Sequence, residues 1–286
     1  MRIAIVGSNG YIAAFLKKSF FNDGYELVSI DQSGGGDVVL LNLEQPDAFD
    51  YKTLDSVDFV VYTAAISGPD KCAEEFDKCW NINVEGTGYF IHEAIKRGCN
   101  VLFFSSDAVY GDIPGEIYTE MSGKQPFTAY GKMKDAVEEE FWNAAEFKAI
   151  RLSYVMSDKD RFISYCLNCI KNGDRAEIFH PFYRNVVAVS DVVKVVSWFI
   201  ENFEKYDHKV LNVTGDELVS RVRMADELNR IFDGKLNYTV SKPDEGFFRN
   251  RPMITQMKSL YLEEYGILDK ESFTDKIQKE MRNVKI

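Results

Sequence analysis

Tyr130 and Lys134 stand four residues apart in Tyr130-Gly131-Lys132-Met133-Lys134, and Ser106 lies twenty-four residues upstream. A spacing of four puts a tyrosine and a lysine one turn apart on one face of a helix. The phenol has a free pKa of about 10, and an ammonium nearby favours its ionised form. Such a pair can give or take a proton at a carbonyl or alcohol near neutral pH. Ser106 follows the apolar run Val101 to Phe104, which predicts a place at the carboxyl end of a buried strand. Its hydroxyl could bond the same substrate oxygen. Tyr-x-x-x-Lys by itself is common on solvated helix faces, so the surrounding elements must decide.

Those elements begin at the N-terminus. Ile3-Ala4-Ile5-Val6 reads as a short buried strand, followed by Gly7-Ser8-Asn9-Gly10-Tyr11-Ile12-Ala13 and an apolar-periodic helix through Phe20. Strand, glycine turn and helix form the setting of a dinucleotide-binding fingerprint, spaced here G-x-x-G-x-x-A. Gly7 allows the tight turn, and Gly10 lets a pyrophosphate approach backbone N–H groups at a helix N-terminus. Asp31 ends the second predicted strand, where a carboxylate binds adenosine ribose hydroxyls and repels a 2′-phosphate. That favours NAD, with NADP as the alternative. The strand Val38 to Leu41 leads to Asn42-Leu43, where an adenine could rest. Val57 to Tyr62 ends in Thr63-Ala64-Ala65, small enough for a cofactor to lie against the backbone.

Helices are predicted over Cys72 to Trp80, Asn83 to Arg97 and Thr128 to Ala145, and strands over Val101 to Phe104 and Phe147 to Leu152. Six β units with helices between them predict an α/β fold, a Rossmann-type doubly wound parallel sheet. Beyond Leu152 the rhythm changes. A helix over 161–171, strands over 177–185 and 186–189, a helix over 190–203 capped by Ser190, and a strand over 210–213 rejoining the sheet are expected. A helix over 223–232, a strand over 236–240 and a helical tail from Ser259 follow. The expected division is 1–156, with 185–216 returning to it, for the cofactor domain, and 157–184 with 217–286 for a small α/β substrate lobe.

The chain has 286 residues, a formal net charge of −11 and five cysteines. The acidic balance argues against nucleic acid as a partner. An odd cysteine count and no leader ahead of the first strand predict a reducing cytoplasm, and no run is long enough to span a membrane. Cys72, Cys79, Cys166 and Cys169 lack the spacing and histidine partners of a zinc site, so no metal is expected.

Taken together, Gly7-x-x-Gly10-x-x-Ala13, Asp31, Ala64-Ala65, Asn83-Val84-Glu85-Gly86-Thr87, Ser105-Ser106-x-x-Val109-Tyr110-Gly111 and Tyr130-x-x-x-Lys134 resemble the extended short-chain dehydrogenase/reductase superfamily. Asp70-Lys71-Cys72-Ala73-Glu74, Ser106-Asp107 and Arg251-Pro252 look most like its dTDP-4-dehydrorhamnose reductase branch. Val109-Tyr110-Gly111 is closer to nucleotide-sugar epimerases. The resemblance implies Tyr130 as general acid or base, Lys134 on the nicotinamide ribose, and Ser106 orienting the substrate oxygen. It implies Gly7, Asn9, Gly10, Tyr11 and Ile12 at the pyrophosphate and Asp31 at the adenosine ribose. Asn42, Leu43, Ala64 and Ala65 would border the adenine side, with Ser105 and Ser153 also at the cofactor. Asp107, Arg184 and Arg251 would meet a nucleotide-sugar substrate.

The activity implied is reduction of a 4-keto-6-deoxy sugar nucleotide. A 4-epimerase with retained NAD and a non-catalytic cofactor-binding regulatory subunit are the alternatives. A dehydratase ranks lower, because Asp107-Ala108 replaces the Asp-Glu dipeptide of such enzymes. The helices after the fourth and fifth strands could form a two-fold four-helix interface, the basis of a homodimer.

Overall fold

The first strand, β1 (Arg2–Val6), is buried along four of its five residues, as a strand covered on both faces requires. Residues 1–286 are described by a computed structural model, which divides into two compact units. The first comprises Met1–Gly111, Gly123–Arg151 and Val193–Leu211, and the second Asp112–Ser122, Leu152–Val192 and Asn212–Ile286.

In the first unit, α1 (Tyr11–Asn22) leads from β1 to β2 (Glu26–Asp31) and β3 (Val39–Leu40), and then β4 (Phe59–Tyr62) follows. β1 pairs in parallel with β2 and β4, and β4 with β5 (Asn100–Ser106). With β6 (Phe147–Leu152) and the strand Val210–Val213, these make a seven-stranded sheet. Its order is Val210–Val213, β6, β5, β4, β1, β2, β3. The winding reverses between β1 and β4, and in open α/β sheets ligands bind at the carboxyl ends beside that reversal. The expected sheet and the returning strand are both present.

Boundaries differ where side chains compete with the helix pattern. The predicted helix over Cys72 to Trp80 is two pieces, α2 (Pro69–Glu74) and α3 (Phe76–Trp80), broken where Glu75 leaves helical backbone angles. A π-helical turn, Asn81–Gly86, then runs without a gap into α4 (Thr87–Lys96). α5 covers Ala129–Glu140, capped by the Thr128 hydroxyl on the Gly131 N–H at 3.0 Å. It stops short of Ala145 because Phe141 turns inward to stack on Phe147 at 5.3 Å. β3 keeps two residues of the four expected.

The second unit has its own apolar cluster, including Met156, Ile163, Cys166, Ile178, Leu228 and Ile277. Helix Arg161–Asn172 is capped by Asp160, which accepts from Phe162 and Ile163 N–H. The strand Tyr183–Ala188 pairs with Leu218–Ser220, Ile254–Thr255 and Tyr154–Met156, and Ala176–Phe179 pairs with Tyr238–Ser241. The single strand expected over 177–185 is therefore two, parted around Pro181, which has no N–H to donate. Ser190 is not a cap: the helix is Val189–Asn202, and the Ser190 N–H goes to Glu280 at 3.2 Å. The helical tail shrinks to Phe273–Met281.

The division also falls elsewhere than expected. Residues 112–122 belong to the second unit. Tyr118 exchanges backbone hydrogen bonds with Gln256 and Lys258 at 2.9 and 2.8 Å. The buried Glu120 carboxylate accepts from Asn212 N–H, the Ser259 hydroxyl and Leu260 N–H.

Candidate active site

A cavity of about 340 Å³ opens at the carboxyl ends of β1, β2 and β4. It gathers Gly7, Asn9, Gly10, Asp31, Asn42, Leu43, Ala64 and Ala65 from the expected set, with Thr63 and Ser33 beside them. Backbone geometry explains the glycine turn. Gly7 has φ +83°, and a Cβ there would stand 2.7 Å from the Ala64 nitrogen, so the turn requires glycine. Gly10 opens α1 with no side-chain cap, and the first turn carries no acidic residue. The positive end of a twelve-residue helix is thus left for an anion. In the same turn the Ser8 hydroxyl is buried without a hydrogen-bond partner. These features fit a dinucleotide pyrophosphate. Tyr11 and Ile12 are the first two residues of α1 and lie outside the cavity lining.

Asp31 sits at the far edge. Its carboxylate accepts from Asn9 N–H at 3.0 Å, Ser33 N–H at 3.0 Å and the Ser33 hydroxyl at 2.9 Å. Burial pushes its pKa up, but the N–H groups of Asn9, Ser33 and Gln32 and the Ser33 hydroxyl outweigh it and hold the carboxyl below its ordinary range. The ionised form is therefore the one presented to the cavity.

Ser106 is the last residue of β5, as expected. Its hydroxyl donates to Asp107 at 3.0 Å and accepts from Ala108 N–H at 3.2 Å, capping a 3₁₀ turn over Asp107–Val109. Close packing brings α5 onto that turn: a Cβ on Gly131 would lie 2.0 Å from the Ala108 carbonyl oxygen. Only glycine between Tyr130 and Lys132 lets the first turn of α5 settle there. Lys134 is 3 % exposed, its ammonium 4.4 Å from the Phe103 ring centre and 5.7 Å from that of Tyr130.

Electrostatics at this pair differ from the expectation that the ammonium would lower the phenol. Burial pushes Tyr130 above its ordinary value, and Cys72 and Asp107 add to the rise. Burial pulls Lys134 down to about 7, with Glu138 and then Cys72 pulling the other way. Lys134 is enclosed and Tyr130 partly buried, and burial favours the neutral form of each.

Four residues without an expected role hold the site together. Asn83 gives its side-chain amide to Ile66, accepting from Ile66 N–H at 2.8 Å and donating to Ile66 O at 2.9 Å, which fixes the chain just after Ala64-Ala65. Gly86, in the same π-helical turn, packs where a Cβ would be 2.0 Å from the Leu43 oxygen. Glu138 and Arg151 form a fully buried ion pair at 2.6 Å. The Ser105 hydroxyl donates to Glu138 at 2.5 Å, so this residue, expected at the cofactor, is engaged inside the protein instead. Tyr110 accepts from Arg151 at 2.8 Å, which gives Val109-Tyr110-Gly111 a structural use. The signals available for these residues were the Asn-x-x-Gly-Thr stretch and an acidic residue one turn past Lys134.

Ser153, Arg184 and Arg251 belong to the second unit. Ser153 is buried, with its hydroxyl lacking a partner. Arg184 donates to the Tyr183 and Pro252 carbonyls, each at 2.6 Å, with its guanidinium over Phe182. Arg251 donates to the Phe247 carbonyl at 2.9 Å and covers that ring. Both guanidinium groups bind backbone of their own unit.

Residues 3–214 match the family described as NAD dependent epimerase/dehydratase family. A dTDP-4-dehydrorhamnose reductase of Aggregatibacter actinomycetemcomitans is 24% identical over 229 residues, covering 77% of this chain and 75% of that protein. The crystal structure of dTDP-4-dehydrorhamnose reductase from Bacillus anthracis in complex with NADP superposes with a TM-score of 0.83 at 19% identity, covering 99% of each chain. UDP-glucose 4-epimerase of Thermus thermophilus, complexed with NAD, gives 0.81 at 17% identity, covering 99% of this chain and 100% of that one.

Proposed function

The chain belongs to the NAD dependent epimerase/dehydratase family, and from that we propose that it is an NAD(P)-dependent nucleotide-sugar oxidoreductase, reducing a 4-keto-6-deoxy sugar nucleotide with Tyr130 as proton donor. The observation that carries the reading is the meeting of Ser106 at the end of β5 with the first turn of α5, forced by the Gly131–Ala108 approach. The names of the reductases it resembles support the substrate class.

Gly7, Asn9 and Gly10 would hold the pyrophosphate, Asp31 the adenosine ribose, and Lys134 the nicotinamide ribose. A bound nicotinamide supplies the hydride. Around that chemistry the chain orients and protonates. The Ser106 hydroxyl orients the keto oxygen, and Tyr130 gives it a proton. Burial keeps the Tyr130 phenol protonated across neutral pH, which suits a donor. Ser153, Asp107, Arg184 and Arg251 remain proposed ligand contacts. A cytoplasmic location goes with five free, buried thiols. Half-exposed Tyr89 and Trp142, on α4 and just beyond α5, support the homodimer.

The test is oxidation of NADH and NADPH by the purified protein over dTDP-, GDP- and UDP-linked 4-keto-6-deoxy sugars. Cofactor consumption with one of them is expected. No consumption with any sugar sinks the reductase. NAD retained in near-stoichiometric amount, with interconversion of sugar epimers and no net cofactor use, turns the reading to the epimerase.

A further inference from the structure

Glu138 lies one helical turn beyond Lys134 on α5 and is wholly buried. Arg151 of β6 reaches its carboxylate with Nε at 3.1 and 3.2 Å and Nη2 at 2.6 Å. Ser105 of β5 donates at 2.5 Å, and Lys124 Nζ lies 3.4 Å away. Arg151 is braced in turn by the Tyr110 hydroxyl at 2.8 Å, and Lys124 by Asp135 and Glu139, each at 2.5 Å. A buried ion pair is a poor source of stability, because desolvation consumes most of the attraction. A pair held by this many donors fixes a charge at one point. Lys134 stands four residues back on the same helix, one turn away and also buried.

The other groups facing this lysine and its tyrosine are few. From α2 comes Cys72, whose thiol burial pushes up to about 12, so it is neutral. From the turn after β5 comes Asp107, acting on Tyr130. β5 contributes the Phe103 ring and the Ser106 hydroxyl but no charged group. On α4, His92 pairs with Glu140 at 2.8 Å, and in the π-helical turn Glu85 accepts from Trp80. Among the carboxylates, Glu138 one turn along α5 is the one that raises Lys134 against its burial.

We propose that Glu138, braced by Arg151 and Ser105, is a positioning residue that acts through Lys134, setting how much of that lysine is cationic at neutral pH and thereby how readily Tyr130 gives its proton. The proposal rests on the roles given above to Tyr130 and Lys134. Lys134 sits close to its midpoint near neutrality, and Glu138 is the largest influence opposing its burial. A shift of one unit there changes the charged-to-neutral ratio about tenfold.

The experiment is a carbon-13 NMR titration of the lysine side chains in the full-length protein, with the Lys134 signal identified by its loss in Lys134→Arg. It needs no substrate, so its outcome is separate from that of the sugar panel. In Glu138→Gln the Lys134 midpoint should fall by about one unit, while Glu138→Asp restores it. The activity limb that declines as Lys134 loses its charge should move to lower pH by the same amount. A folded Glu138→Gln variant with an unmoved Lys134 midpoint overturns the proposal, whatever its activity. Should that variant not fold, Lys124→Met decides. Removing that cation leaves more of the Glu138 field on Lys134, so the midpoint should rise, and an unchanged midpoint overturns the proposal.

Discussion

Asp31 and Glu138 are both carboxylates of the first unit, yet they are held in opposite ways. Asp31 is bound by neutral donors only, the N–H groups of Asn9 and Ser33 and one hydroxyl, and it lines the cavity. Glu138 is bound by a guanidinium, a hydroxyl and an ammonium and meets no solvent. Neutral donors keep a charge in place without cancelling it, so Asp31 still projects its charge onto whatever enters. Charged donors hold the Glu138 carboxylate out of reach of any ligand, and the group proposed to feel it is Lys134, one turn back on the helix. The first is placed to meet a ligand, the second to face a residue inside the protein.

The largest effect expected is at Tyr130, the proposed proton donor. Tyr130→Phe should lower kcat/KM by about 10²–10⁴-fold with little change in melting temperature. A fully active variant removes the phenol from the chemistry. Next, Glu138→Ala leaves Arg151 buried and uncompensated, which costs about 3–5 kcal/mol of stability in urea unfolding. Replacing both partners, Glu138→Leu with Arg151→Met, should cost much less. If the double variant is no better than the single, the pair contributes more than its mutual compensation. Asp31→Ala in the same assay should cost only about 1 kcal/mol, the worth of exchangeable hydrogen bonds at a half-open edge. Equal losses at the two positions would dissolve the contrast.

Lys134→Met has a sign that identifies it. The lysine titrates at about 7 in the folded protein against 10.5 ordinarily. Between those values the unfolded chain holds a proton that the native state lacks, so stability rises with pH there and the full burial penalty applies below 7. The methionine variant should therefore be more stable than wild type at pH 6, by on the order of a few kcal/mol. The gain should shrink as pH climbs toward 10, while activity is lost. Thermal melts across that range measure it, and a gain independent of pH would mean that packing, not charge, is responsible. The smallest effect is at the cavity edge. Asp31→Asn should shift the preference from NAD toward NADP by about tenfold, near 1.4 kcal/mol, read as the ratio of KM values.

Much of this was legible in order along the chain. The strand–glycine turn–helix opening, Asp31, the small residues after β4 and the Tyr130–Lys134 spacing are local patterns. Each is decided within one or two elements, by φ angles or by the 3.6-residue turn. The eight residues found around the cavity were reachable for that reason. What was misjudged was local structure overruled by distant contacts. The helix after Tyr130 ends at Glu140 because Phe141 has a ring to meet on Phe147, and residues 112–122 leave the first unit because their backbone pairs with 256–258.

The sequence by itself determined which chemistry is present: a phenol, an ammonium and a hydroxyl at fixed places on a strand end and one helix face, beside a turn that only glycine can make. Tertiary structure alone decided how those groups are charged. Protonation depends on burial and on neighbours brought from elsewhere in the chain, Cys72 from α2 and Asp107 from the turn after β5, and neither is written in the spacing of Tyr130 and Lys134. Burial on the inner face of α5 turns an expected lowering of the phenol into a rise, because desolvation opposes the charged form of each group there.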